Sequence, residues 1–571
     1  KIQVDDKVRR NIAALEYRFN HLSKQSWVDW KKIVQIFIEA QKAYLHILDS
    51  KDPFNHTSGC FIRSYISVID DSEQYYILHV PSSYMIEKPS AVMLVIPTNG
   101  GKMPYLESYR VANFQLINIF QDLAEKYNMI VIEPGSRHLD KVIYNALEEN
   151  EIFNIISDVR ADYSLDLSRL YLSSACSGGN DALKLAVKYP DRFAALGLIS
   201  PSINHGKSEV QYSKFNYPVN YLSNCMDLPM LVIHSRLDRH VPIKISKLLE
   251  KEVRKSGKRN FSFNVLPSEF QYYYTNAFFD DVFNYVQKFK LDKNPTQVHF
   301  TTNQTLYNKS FRIHIDNWEI PEEAHIHAKL KGNRLIIKKR NILAYSIDLK
   351  TLPYHKEQPL TIVDNGKLVL NTVINDSMVY IGSKLKPDEV YKNNTVAGPL
   401  ADVFSKRFIL VKGTSGTQKE VNAISALADS INKYWNERYF VNCIVKNDFE
   451  VTKKDMAESG LVLLGNAQSN HIISEMSNYL PLSVSNFGIQ IMDKKIEGRK
   501  LSFYMVYPNP INKTKYLGVI GYNNPDFISL GSETMKQYDD VSNYGWYDYK
   551  VWCDSSYNNL ITSGYFDSTW N

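Results

Sequence analysis

The stretch Ser174-Ala175-Cys176-Ser177-Gly178-Gly179 sets a thiol among small residues where a strand is expected to pass into a helix. A nucleophile raised on so tight a turn tolerates only small side chains two positions either side, and Ser174 and Gly178 meet that demand. A free thiol has a reference pKa of about 8.5, which a helix N-terminus can lower. Cys176 can therefore attack without a partner base, where a serine could not. Its inert alternative is a small residue kept in a turn that no longer reacts. Two weaker patterns stand elsewhere. Gly413-Thr414-Ser415-Gly416-Thr417 lies between a strand and a helix, where backbone amides can cradle phosphate. It lacks the Gly-Lys-Ser/Thr ending of a P-loop, which favours a plain strand-to-helix turn. His325-Ile326-His327 puts two imidazoles on one strand face, a metal-binding pattern that lacks a third ligand in sequence.

The elements that must position Cys176 are short apolar strands alternating with helices. Strands are expected at Ala91–Pro97, Met129–Glu133, Leu170–Ser174, Ala194–Ser200, Met230–Ser235 and Asn260–Leu266. Helices are expected at Val111–Lys126, Glu151–Tyr163, Gly179–Tyr189, Ile243–Ser256 and Thr275–Phe289. Continuous apolar strands between helices imply a mostly parallel sheet buried on both faces. Ahead of it, the first 50 or so residues read as two amphipathic helices, followed by a hairpin at Cys60–Ile69 and Gln74–Val80. After Pro295 the alternation stops, and period-two strands such as His325–Leu330 and Leu335–Lys339 predict a small antiparallel β-domain. From Lys386 the α/β pattern returns, with strands at Phe408–Lys412, Phe440–Val445, Leu461–Leu464 and Leu517–Ile520 and a helix over Lys419–Arg438. The expected class is α/β, in four parts: a helical and hairpin extension (1–88), the domain carrying Cys176 (89–292), a β-rich domain (293–385) and a C-terminal α/β domain (386–571).

Arg169-Leu170-Tyr171-Leu172 through the elbow to Tyr189-Pro190-Asp191-Arg192-Phe193-Ala194-Ala195 resembles the esterase and prolyl-oligopeptidase-like branch of the α/β-hydrolases. Asp166 and the Glu133-Pro134-Gly135-Ser136-Arg137 loop fit the same pattern, and the resemblance spans about Pro89 to Lys290. It implies an α/β-hydrolase sheet with Cys176 at the nucleophile position. It places the acid at Asp238, within His234-Ser235-Arg236-Leu237-Asp238-Arg239-His240-Val241-Pro242, and one oxyanion amide at Ser177. The other oxyanion donor falls at Asn99, in Thr98-Asn99-Gly100-Gly101, where the family carries a His-Gly-Gly-like loop. The family's histidine should follow the last strand, near Leu266–Tyr273, yet no histidine occurs from Val241 to Val298. Losing one triad member costs on the order of 10⁴–10⁶ in rate. His205, His138 and His240 fall in segments expected near the C-terminal edge of the strands and are the candidates for a substitute base; each has an ordinary loop histidine as its alternative. Ala397–Phe404, Phe408–Gly413, Leu464-Gly465-Asn466 and Tyr507-Pro508-Asn509-Pro510 resemble the tail of large secreted prolyl-oligopeptidase-like bacterial proteins. That second resemblance implies a secreted or periplasmic setting.

The bulk composition narrows the partners. Over 571 residues the net charge is only +6, with no basic run interleaved with aromatics, which argues against nucleic acid. No apolar run approaches the roughly 18–20 residues of a membrane helix. The first residue is Lys1 rather than Met, which leaves room for a removed leader. The five cysteines are scattered and odd in number, so they form neither a metal pattern nor a disulfide framework. No cofactor or metal is expected, and the expected ligand is a small molecule, a glycan ester or a peptide. Three functional readings follow. The first is a degenerate or non-standard esterase/peptidase-type hydrolase; the second, an active cysteine-dependent esterase or acyl-hydrolase on carbohydrate or peptide esters; the third, a carbohydrate-binding protein.

Overall fold

The computed structural model describes residues 41, 44–45, 56–98, 114–135, 146–206, 215, 217–258, 260–267, 276–320, 322–383, 390–439, 441–526, 547–553 and 559–571. The chain divides into two compact units, one of residues 1–204 and 225–292, the other of residues 205–224 and 293–571. The amphipathic helices expected in the first 50 residues lie outside the described residues, apart from helical positions 41, 44 and 45.

The first unit is built on an eight-stranded sheet of order β1-β2-β4-β3-β5-β6-β7-β8. Its strands are β1 (Gly59–Ile66), β2 (Glu73–Val80), β3 (Ser90–Ile96), β4 (Met129–Pro134), β5 (Leu165–Ala175), β6 (Ala195–Ile199), β7 (Met230–Ser235) and β8 (Phe261–Leu266). From β4 to β8 every pairing is parallel, whereas β2 runs antiparallel to both β1 and β4. Every residue of β3, β4, β6 and β7 is buried, as continuous apolar strands sandwiched between helices must be. Helix α1 (Phe114–Tyr127) packs on β2 and β4. Helix α2 (Ala146–Asp162) is tied to α3 (Gly178–Lys188) by a buried ion pair between Glu149 and Lys188 at 2.5 Å. Helix α3 itself packs on β3, β5 and β6. Helix α4 (Lys244–Lys255) precedes the edge strand β8, and α5 (Asn276–Val286) packs on β6 and β7.

The hairpin that sequence placed in an extension is the edge of this same sheet. Its Tyr76, Ile77 and Leu78 are buried against β4 in a register running from Tyr76↔Pro134 to His79↔Val131. Patterning within one strand identifies a half-buried hairpin but not its distant partner.

In the second unit, β9 (Gln297–Thr302), β12 (Ala324–Lys331), β13 (Arg334–Arg340), β15 (Leu360–Asp364) and β16 (Lys367–Thr372) form a five-stranded sheet. Strands β10 (Lys309–Ser310), β11 (Ile313–Asn317), β14 (Ala344–Asp348) and β17 (Met378–Gly382) form a four-stranded one. Trp318, Ile313, Ile315, Ile326, Ile337 and Leu360 belong to one buried cluster shared by the two sheets. The expectation of a purely antiparallel region is corrected: β13 and β15 pair in parallel. Between them the chain crosses to the other sheet as β14, so it returns to β13 in the same sense.

Residues 205–224 join this unit through Phe215, whose ring meets Tyr307 edge-on at 5.4 Å, and through Asn224, whose amide bonds both the N–H and C=O of Thr301. A seven-stranded sheet follows. Its β18 (Phe408–Lys412), β19 (Val445–Asn447), β20 (Gly460–Leu464) and β25 (Tyr516–Tyr522) are mutually parallel. Strands β24 (Leu501–Pro508), β26 (Tyr549–Cys553) and β27 (Leu560–Gly564) continue it antiparallel. The strand expected at Phe440–Val445 begins only at Val445. Among the described residues no helix is long and apolar enough to cross a membrane.

Candidate active site

Cys176 follows the last residue of β5, and α3 begins two residues later. Its φ is +49°, a left-handed conformation that costs a non-glycine residue about 1–2 kcal/mol. Three backbone hydrogen bonds hold it there. The Cys176 N–H donates to Ile199 O at 3.1 Å, and Cys176 O accepts from Gly179 N at 3.1 Å and Ser202 N at 2.7 Å. A Cβ at Gly178 would collide with Ser174 Oγ and the Pro97 carbonyl, and one at Gly179 with Pro201. Ser174, where the family has glycine, is fully buried and its hydroxyl donates to Ile96 O at 2.6 Å. The larger side chain is thus accommodated by a hydrogen bond to the end of β3. A strained strand-to-helix turn at the C-terminal end of a mostly parallel sheet is the α/β-hydrolase arrangement.

Asp238 lies in the loop after β7, nearly buried, with Oδ1 accepting from the His240 N–H at 2.9 Å and the Val241 N–H at 3.0 Å. It stands near enough to Cys176 for its charge to act on the thiol. Burial first, and then Asp238, push the Cys176 thiol above its ordinary value, against the pull of the Ser177 amide and hydroxyl. The lowering expected from a helix N-terminus is therefore outweighed. Ser177, assigned as an oxyanion donor, directs its N–H at the Cys176 sulfur.

Among the described residues no candidate base is seen acting on the Cys176 thiol. His240 is exposed, and its backbone N–H donates to the acid. His205 falls in the second unit. His138, Asn99 and residues 268–275 lie outside the described residues. Among the described residues the groups that act on the Cys176 thiol are Ser177 and Asp238, and neither is a histidine.

Two imidazoles of the first unit escaped the sequence reading. His234 on β7 is fully buried, its Nε2 donating to Val241 O at 2.9 Å and its Nδ1 bonded to Ser246 Oγ at 2.7 Å. It stands 3.8 Å from Asp238 but has both nitrogens committed to holding the acid loop. His79 on β2 bonds Glu133 on β4 at 2.7 Å, both essentially buried. Burial pushes this imidazole down, but Cys60 and Glu133 together hold it up at about 10. The His234-x-x-x-Asp238 spacing was the signal for the first; nothing local in sequence pairs His79 with Glu133.

The weaker patterns also resolve. In the Gly413–Thr417 turn, Thr414 N donates to Asp448, Ser415 N to Ser469 O and Thr417 N to Glu420. These amides are taken by the protein, so the segment is a strand-to-helix turn rather than a phosphate cradle. His325 and His327 do gain a third imidazole, His299 on β9, whose ring stacks on His327 at 3.9 Å.

No protein-family model and no curated protein matches the chain. Solved structures do overlap the chain in part. A ferulic acid esterase is 14% identical over 41% of this chain and 98% of its own, with a TM-score of 0.34. A fluorophosphonate-binding serine hydrolase of Staphylococcus aureus, FphF, is 13% identical over 41% and 98%, with a TM-score of 0.32. An S-formylglutathione hydrolase from Agrobacterium tumefaciens is 15% identical over 42% and 98%, also with a TM-score of 0.32. Overlaps this partial do not define a fold; the parallel sheet and the strained elbow do.

Proposed function

We propose that residues 89–292 form an α/β-hydrolase-type domain that does not run a standard triad, a degenerate or non-standard relative of esterases and peptidases. The observation that carries this reading is the state of the elbow: burial and Asp238 push the thiol up, and no imidazole acts on it among the described residues. A thiol held in its neutral form is a poor nucleophile, and without a base the release of an acyl group to water has no proton carrier. On this reading the elbow binds a small molecule, glycan ester or peptide rather than turning it over. The remaining chain is read as a β-rich domain (293–385) and a C-terminal α/β domain (386–571), and the resemblance of the last supports an extracytoplasmic bacterial setting.

The test is turnover of short-chain p-nitrophenyl esters by wild type, Cys176→Ala and Cys176→Ser. The expected outcome is equal, background-level hydrolysis in all three. Wild-type turnover abolished in both variants overturns the reading in favour of the second, an active cysteine-dependent esterase. One feature favours that alternative: the strained φ of Cys176 and the glycine contacts behind it preserve the geometry of a presented nucleophile.

A further inference from the structure

The second unit gathers three histidines on one face of a sheet. Strands β9, β12 and β13 are neighbours in the five-stranded sheet. Register sets His327 across from His299 on one side and Lys338 on the other, and His325 across from Thr301 and Arg340. Cross-strand partners share a face. On β12 the buried residues are Ala324, Ile326, Ala328 and Leu330, so His325, His327 and Lys329 stand on the face away from the core. A cavity of about 370 Å³ opens on this face, lined in part by Ser223, His299, Thr301, His325, His327 and Arg340.

The hydrogen bonds define what these rings can do. Arg340 donates to His325 Nε2, and a guanidinium is never an acceptor, so His325 is neutral with its Nδ1–H donating to Thr301 Oγ1 at 3.0 Å. The Gln297 amide likewise lies 2.5 Å from His299 Nε2. His299 and His327 stack with their planes 13° apart, so charging both would set two like charges face to face. His327 Nε2 is buried without a hydrogen-bond partner.

The surroundings are cationic. Lys329 and Lys338 act on His327, Arg340 on His325, and Lys329 with His327 on His299. Lys339 turns aside to Asp364 at 3.4 Å, and Glu323, 3.6 Å from His325, is the one acidic group acting on the trio among the described residues. Burial and then these charges push all three imidazoles down, His299 to about 4. A metal ion fits poorly: His325 has both nitrogens committed, stacked rings cannot aim both lone pairs at one point, and the nearby charges repel a cation. No group of three or more metal-ligating side chains among the described residues is arranged to hold one.

We propose that this face binds a small organic anion through a carboxylate, sulfate or phosphate group, with Arg340 and Lys338 as its direct donors and His327 beside them in the cavity lining. Arg340 suits a planar or tetrahedral oxyanion, which it can meet with two parallel N–H groups. The anion offsets the repulsion that keeps the imidazoles neutral, so binding and protonation reinforce each other. Affinity therefore rises as pH falls. This site is independent of Cys176 and of any hydrolysis.

The experiment is calorimetric titration of the full chain with glucuronate, a sugar sulfate, inorganic sulfate, inorganic phosphate and neutral glucose, at pH 7.5 and 5.5. Histidine NMR titrations of the same protein are recorded with and without each probe. At least one sugar anion is expected to bind saturably, about tenfold tighter at pH 5.5, with glucose silent and the His299 and His327 titrations moved to higher pH. Arg340→Met should abolish binding, and His327→Gln should flatten its pH dependence. Equal binding of inorganic sulfate or phosphate assigns the site to the oxyanion alone, whereas preference for the sugar anion assigns it to an acidic glycan. Absence of binding by every anion, unchanged histidine titrations, or unchanged binding in Arg340→Met each overturn the proposal.

Discussion

The elbow and the histidine face hold complementary side chains, a thiol with a carboxylate at one and imidazoles with cations at the other. Among the described residues a thiol and a carboxylate meet at the elbow with no imidazole acting on the thiol, while three imidazoles meet on β9, β12 and β13. Both sets of side chains are shifted toward their neutral forms by burial first. At the elbow the added push comes from an anion acting on an acid, and on the sheet face from cations acting on bases. The difference teaches that residue types alone do not make a catalytic centre. The sign of the neighbouring charge decides whether a group is readied for proton transfer or silenced.

The comparison can be strained first through backbone space. Gly178→Ala drives a Cβ into Ser174 Oγ and the Pro97 carbonyl, and should cost about 3 kcal/mol in urea unfolding, the upper part of the usual overpacking range. Gly332→Ala, in the hairpin between β12 and β13 with φ +56° and nothing near, should cost only about 1 kcal/mol. Equal costs would show that the elbow is not the tighter of the two.

Next in size is thiol reactivity. With Cys176 pushed above its ordinary value, its iodoacetamide alkylation, followed by peptide mass, should climb about tenfold per pH unit, roughly 100-fold from pH 6 to 8. A plateau in that interval would reveal an activating base and erase the contrast between the two regions.

A smaller effect concerns acid stability. His299 has a folded-state value of about 4 against 6.5 for the free side chain, so its neutral form is favoured by folding. Its contribution is intact above pH 6.5 and is lost as pH falls toward 4, because the unfolded chain then binds the extra proton. His299→Gln should flatten the fall of the urea midpoint across that window. The smallest change is Asp238→Asn, which removes an anion that raises the thiol and should speed Cys176 alkylation at pH 7 a few-fold. A slower rate would place Asp238 in an activating role.

Much of the first unit was legible because burial on both faces writes itself as uninterrupted apolar runs, as in β4 and β7. The elbow was legible because its geometry excludes all but small residues around Cys176. Pairings between distant segments were not. The union of β2 with β4, the parallel return of β15 to β13 and the attachment of residues 205–224 through Phe215 on Tyr307 and Asn224 on Thr301 depend on register and tertiary packing. The histidine face shows the same limit. His325-x-His327 announced one shared strand face, while the approach of His299 and Arg340 followed only from strand order.

The positive φ of Cys176 has a consequence for how freely this position can drift. Three backbone hydrogen bonds and two crowded glycines fix the bend whatever side chain occupies it. Replacement by Ser, Asn, Asp or Gly suits a left-handed bend, whereas Val, Ile or Thr does not. Descendants of this sequence can therefore exchange the sulfur for an oxygen or for nothing at all. The contour of the turn is what they must inherit.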